Sequence, residues 1–355
     1  MAGFRASAAT TLVGSMPHRD REYVIQLILR ESPSIPVWPQ LPFYRTEQMM
    51  VQYLEGLPGI QAKEGRVFFQ SEGPDFDREL YGFYDEYLEV EANPGNIRLS
   101  RFKLGEETGR TFFRFLEAAG KDASSLKAVK GQVTGPFTLL SGLKDHRDRS
   151  ALYDERLQDV VSKHLAMKAR WQIDQLKSLG RPVILFLDEP ALAGFGSSAF
   201  ISVTRELIQQ LLGEVVAGIH EAGALAGIHV CANTDWLLAF ESGVDVINLD
   251  AYNYMVKFEL YREQFLRFTK EGGVVAWGMI PTTDAAIVGQ VTAQSLADRW
   301  LRSIEPLTSP EVDTKKVLAQ SLFTPSCGCG SLPEASAERV VQLTRELGLI
   351  MERHL

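Results

Sequence analysis

Short, unbroken apolar runs alternate along this chain with longer stretches of helical period, and that alternation constrains the fold more than any single motif. Val183-Ile184-Leu185-Phe186-Leu187 is apolar at every position, as expected for a parallel strand covered on both faces. Just before it, residues 150–179 place Leu157, Val161, Leu165, Trp171 and Leu176 near helical spacing with charges between them, an amphipathic helix that ends at Gly180. Strand signals recur near Thr11, Val37, Val129, Ile184, Ile228, Ile247, Val275 and Leu322, each followed by a helical span. Eight such units predict an α/β fold, a (β/α)8 TIM barrel. The runner-up is a doubly wound open sheet. It is disfavoured because no Gly-x-Gly-x-x-Gly turn follows the first strand.

The 355 residues suit one barrel, 1–355, with an insertion after the second unit. Across 59–103 the pattern changes: Val67-Phe68-Phe69 and Asn96-Ile97-Arg98-Leu99 read as hairpin strands around a helical stretch from Phe76 to Val90, partly covering one mouth. A helix is expected over 46–57. A formal charge of -8 argues against nucleic acid or an anionic membrane as partner. No apolar run is long enough to span a bilayer, and Met1 to Thr11 lacks the apolar core of a signal peptide. Three cysteines, two of them one residue apart, make no disulfide framework. The expectation is a cytoplasmic protein.

Two stretches carry chemistry. His229 and Cys231, two apart at the end of an apolar strand, project to the same side. With Cys327 from Thr324-Pro325-Ser326-Cys327-Gly328-Cys329-Gly330 they supply one nitrogen and two sulfurs, a good zinc set with a fourth position open. By itself a His-x-Cys pair is weak, since both residues are often core. Cys329 leaves an alternative, a saturated four-ligand shell in a non-catalytic binder of zinc or of a sulfur amino acid. Asp250 closes the 244–250 strand and offers a neighbouring carboxylate. Asp188 and Glu189 stand at the carboxyl end of the 183–187 strand, where barrel enzymes hold their reactive side chains; helix capping or a solvated turn is the plain alternative.

Placed in order, these pieces resemble the carboxyl-terminal catalytic half of cobalamin-independent methionine synthase. That family lies within the superfamily of uroporphyrinogen decarboxylase and the coenzyme M methyltransferases. The resemblance rests on Thr10-Thr11-Leu12-Val13-Gly14-Ser15-Met16-Pro17, Met50-Val51-Gln52-Tyr53-Leu54-Glu55, Lys130-Gly131-Gln132-Val133-Thr134-Gly135-Pro136, Leu187-Asp188-Glu189-Pro190-Ala191-Leu192, His229-Val230-Cys231 and Pro325-Ser326-Cys327-Gly328. It implies Zn2+ on His229, Cys231 and Cys327, with Asp250 where the synthases have a glutamate ligand. By the same resemblance Ser15 would hold the backbone groups of an amino-acid thiol such as homocysteine, and Asp188 and Glu55 its ammonium. Glu189 is a further substrate-binding candidate.

The donor side departs from that family. Thr134-Gly135-Pro136 is followed by no tryptophan for folate to stack on, and Trp277-Gly278-Met279-Ile280-Pro281-Thr282 has no proton-donating histidine. His229-Val230-Cys231-Ala232-Asn233-Thr234 is instead similar to the coenzyme M methyltransferases, which implies a corrinoid protein or methylcobalamin as methyl donor. Two rival reactions are addition of the thiol to an epoxide and, without zinc, decarboxylation of a porphyrinogen.

Overall fold

The structure, a computed structural model, describes residues 4–355. Ahead of the main sheet lies a hairpin of β1 (Ile60–Lys63) and β2 (Arg66–Phe69). The main sheet comprises β3 (Val129–Thr134), β4 (Val183–Asp188), β5 (Leu225–Val230), β6 (Val246–Leu249), β7 (Val274–Ile280) and β8 (Ser321–Pro325), all parallel and in sequence order. Each neighbouring pair is joined through a helical crossover.

Closure comes from two segments too irregular to form ladders. Thr10 bridges Phe323 of β8, Val37 bridges Lys130 of β3, and Ser15 bridges Gln40, all parallel. The Thr11 amide donates to the Phe323 carbonyl at 3.1 Å, and the Lys130 amide to the Pro36 carbonyl at 2.9 Å. Pro36 and Pro39 have no N–H to give, and Gly14 sits at φ 139°, so only single bridges survive there. With these two segments the curled sheet completes the eight-stranded ring of a (β/α)8 barrel.

Because side chains alternate along a strand, one residue in two faces the barrel interior. Toward the amino-terminal ends that interior is an apolar cluster that includes Ala128, Ile184, Phe186, Val246, Ala276 and Leu322. Gly227 belongs to the same layer: a Cβ there would meet the Phe186 ring at 2.8 Å, so its missing side chain makes room for that ring. Further along five of the six strands the interior turns polar, with Lys130, Gln132, Asp188, His229, Asn248 and Thr324 all buried. An apolar plug beneath a polar layer places the chemistry at the carboxyl-terminal mouth.

Some expectations are corrected. Residues 96–99 do not pair with β2; they fall in a 3-10 turn, Pro94–Arg98, because Pro94 and Gly95 favour a turn, and the partner of β2 is β1. The helix expected over 46–57 is two 3-10 turns, Arg45–Glu47 and Val51–Tyr53. The helical stretch of the insertion is a helix, Pro74–Ala92, burying Phe76, Phe83 and Val90. It meets the helix Glu155–Leu176, where the Tyr84 hydroxyl donates to Asp159 at 2.5 Å, and the 3-10 turn after it adds the Arg98–Asp174 pair at 2.8 Å. No helix among the described residues is long and apolar enough to cross a membrane.

Candidate metal centre at the barrel mouth

β5 ends at Val230, so His229 points into the barrel mouth and Cys231 follows in the first loop residue. β8 ends at Pro325 and delivers Cys327 two residues later. One imidazole nitrogen and the two sulfurs all lie within 4.8 Å of one another. Residues 96 positions apart in sequence are thus brought to one point by barrel closure.

The network behind His229 settles which nitrogen is available. The Asn248 amide nitrogen donates to the Ala276 carbonyl at 2.7 Å and to Thr324 Oγ1 at 2.9 Å. A carbonyl only accepts, so the amide NH2 must face it and Asn248 Oδ1 must face the imidazole. Oδ1 lies 2.6 Å from His229 Nδ1, which therefore carries the proton and donates. Nε2 keeps its lone pair, and it is buried with no hydrogen-bond partner. That arrangement, one ring nitrogen held by an acceptor and the other aimed at sulfur ligands, is how metal-binding histidines are oriented.

The two thiols share their protons unequally. The Cys327 thiol donates toward Cys231 and, with the imidazole nearby, holds Cys231 far below the ordinary thiol range against the effect of burial. Cys327 is driven far up by the same contact and by burial. His229 is raised: burial works against its charge, but Cys231 and Asp188 outweigh it. Two sulfurs beside a free nitrogen lone pair fit a thiophilic cation such as zinc.

Around the trio lies a cavity of about 400 Å³, walled also by Val13, Ser15, Gln40, Pro42, Met49 and Asp188. Asp188 is 7% exposed and its Oδ1 is buried without a partner. Burial raises its pKa, opposed by Lys130 and His229. Lys130, beneath it, donates to the Val13 carbonyl at 2.7 Å, and burial pushes its pKa down to about 8. Ser15 reaches the cavity because Gly328 has no side chain: a Cβ there would sit 2.0 Å from Ser15 Oγ.

Four other residues do not join the trio. Both Asp250 oxygens are used on Asn253, accepting from its backbone N–H at 2.9 Å and its amide nitrogen at 2.7 Å, so Asp250 caps the helix Ala251–Phe258 and stays outside the ligand group. Glu189 caps the helix Pro136–Gly142, accepting from Phe137 N, Thr138 N and Thr138 Oγ1. Burial raises its pKa to about 7 despite those donors. Glu55 is exposed and holds the Gly105 amide and the Thr108 hydroxyl, at 3.1 and 2.7 Å. Cys329 is buried, its thiol pushed up to about 12, and it is not part of the His229 group. Its backbone N–H donates to the Ser15 carbonyl at 2.8 Å. Asn248, Lys130 and Gln40 went unassigned in the sequence; Asn248 is the one polar residue of β6, which was an available signal, whereas Lys130 shares β3 with Gln132 and Thr134.

Fold and site together define a (β/α)8 barrel with a nitrogen and two sulfurs converging at its carboxyl-terminal mouth. No protein family and no curated protein matches the sequence. Among solved structures the chain is similar to a B12-independent methionine synthase from Shewanella sp. W3-18-1 in complex with selenomethionine, at 16% identity, 98% coverage of both chains and a TM-score of 0.51. A putative vitamin-B12 independent methionine synthase from Listeria monocytogenes aligns at 14% identity over 94% of this chain and 85% of its own, TM-score 0.50. A methyltransferase from Methanosarcina mazei aligns at 12% identity over 96% and 92%, TM-score 0.52. The fold is the one these proteins share.

Proposed function

We propose that the protein is a zinc-dependent S-methyltransferase that methylates a thiol such as homocysteine. The observation that carries this reading is the convergence of an unpartnered His229 Nε2 with Cys231 and Cys327 on the wall of a ligand-sized cavity. The donor set fits the ion, and His229, Cys231 and Cys327 would hold it. Zinc bound there would deprotonate an incoming thiol at neutral pH while leaving a position for it.

The chain's own residues account for the rest. Asp188 lines the cavity and carries a carboxylate oxygen that no other group uses, suited to accept from the ammonium of an amino-acid thiol. Ser15 orients the same end of the substrate from the opposite strand end. The transfer forms a carbon–sulfur bond and breaks the bond between the methyl group and its donor, whose leaving group keeps the electron pair. The cavity is lined by no phenylalanine, tyrosine or tryptophan. The likeness of His229-Val230-Cys231-Ala232-Asn233-Thr234 to the coenzyme M methyltransferases favours a methylcorrinoid over a folate as donor.

The test is zinc content followed by assays with homocysteine and, separately, methylcobalamin and methyltetrahydrofolate. Cys231→Ser and Cys327→Ser are expected to lose both metal and turnover, whereas Asp188→Asn keeps the metal and weakens homocysteine. Either serine variant retaining full zinc and full turnover would overturn the proposal. Thiol-dependent consumption of an epoxide without methyl transfer would replace it with the addition reaction.

A further inference from the structure

Asp188 is not the only oriented polar group at the substrate end of the cavity. Gln40 lies beside Ser15 as its bridge partner, is 4% exposed and forms part of the cavity wall. Its amide nitrogen donates to Gln52 Oε1 at 2.7 Å, and the Gln52 amide nitrogen donates to the Thr108 carbonyl at 2.6 Å. The far end of this relay can only accept, which fixes the direction of both amides. Gln52 must turn its NH2 to Thr108 and its oxygen to Gln40, so Gln40 must turn its NH2 to Gln52. What remains uncommitted in this relay is the Gln40 carbonyl oxygen. Both Gln40 and Gln52 are buried, and the Thr108 end is itself clamped by Glu55.

We infer that Gln40 is a specificity residue whose amide oxygen, fixed by the Thr108–Gln52 relay, accepts from the ammonium of an amino-acid thiol together with Asp188. This rests on the proposed function and names the substrate class: thiols carrying a primary ammonium at the end remote from sulfur. Gln40 and Asp188 line the same cavity, and two acceptors available to one ammonium reward an N–H and penalise its absence, because an amine-free thiol would leave both unpaired. Gln52 touches no substrate and acts as a positioning residue; without it the Gln40 amide is free to turn over. Glu55 takes its place in the same chain, holding the loop that holds Gln52.

The experiment is calorimetric binding to the zinc-loaded protein of homocysteine and of 4-mercaptobutyrate, which keeps the chain length, thiol and carboxylate but has no amine. Wild type is expected to prefer homocysteine. Gln40→Met, close in shape but unable to accept, should weaken homocysteine by roughly ten- to a hundredfold, the range for a hydrogen bond to a charged group. It should leave 4-mercaptobutyrate unchanged and zinc content intact. Gln52→Leu should show a smaller loss of the same selective kind, which a general loosening of the fold would not produce. If Gln40→Met keeps the full preference for homocysteine, or loses both thiols in equal proportion, the role of Gln40 is overturned while the methyltransferase reading stands. If the wild-type protein takes up zinc and binds neither thiol, both fail together.

Discussion

At the scale of single residues, the trio at the barrel mouth depends on a side chain that is not one of its three members. Asn248 holds the His229 proton on Nδ1, and its own orientation is imposed by the Ala276 carbonyl and Thr324 hydroxyl. Replacing it removes the acceptor that selects the tautomer and leaves the Nδ1–H buried without a partner. Asn248→Leu should therefore weaken zinc binding by about 10–100-fold, read by competition with a chromogenic chelator, while Asn248→Asp, which still accepts, retains most of the affinity. An unchanged chelator curve for Asn248→Leu would mean the ring is oriented by packing alone. Cys327 and Cys329, one residue apart, differ for a comparable reason: one faces Cys231, and the other is sealed in an apolar environment that keeps it protonated.

At the scale of elements, the helix Glu155–Leu176 carries an unusual load of polar groups on its buried side: Ser162, His164, Lys168 and Gln172. His164 Nε2 lies 2.9 Å from the Tyr53 carbonyl, Lys168 donates to the Lys103 carbonyl at 3.0 Å, and Gln172 donates to the Gln132 carbonyl at 3.0 Å. The helix thus fastens the Tyr53 and Lys103 segments, which form no ladder of their own, to β3. Burial lowers the Lys168 pKa from 10.5 to about 7, partly offset by the charge of Glu55. Between those values the unfolded chain binds a proton that the folded chain does not, so stability rises with pH there, at up to about 1.4 kcal/mol per pH unit from this group. His164, also depressed by burial, acts in the same direction but only below its ordinary value of 6.5. Thermal or denaturant unfolding from pH 7 to 10 should show the rise in wild type and a flatter profile in Lys168→Met; parallel profiles would place the charge elsewhere. The same element scale explains the corrected expectations. Helical period and strand propensity were legible for the long helices and for β3 to β8, whereas at 46–57 and 96–99 short apolar patches were shaped by nearby prolines, glycines and packing into 3-10 turns.

For the molecule as a whole, the ring closes at its weakest seam, the single bridges of the Thr10 and Val37 segments. The last α-helix, Glu334–Met351, backs that seam, and Gly348 packs tightly against it: a Cβ there would lie 2.5 Å from Thr10 Cγ2. Gly348→Ala gains helix propensity yet should destabilise the fold by roughly 1–3 kcal/mol through overpacking. Thr10→Ser removes the obstructing methyl, so the double variant should recover most of that loss in a double-mutant cycle. Additive effects of the two changes would show that the contact is not what limits the seam.

The sequence by itself determined the eight strand positions, the alternation that points polar residues to one mouth, and the identity of His229, Cys231 and Cys327. These follow from periodicity and residue chemistry, which are local. Only the tertiary structure decided that Asp250, Glu189 and Glu55 are committed to capping helices or clamping a loop, that Cys329 stands apart, and that Asn248, Lys130 and Gln40 belong to the site. A polar side chain's role depends on which donor or acceptor reaches it first, and barrel closure sets those partners between residues far apart in the chain.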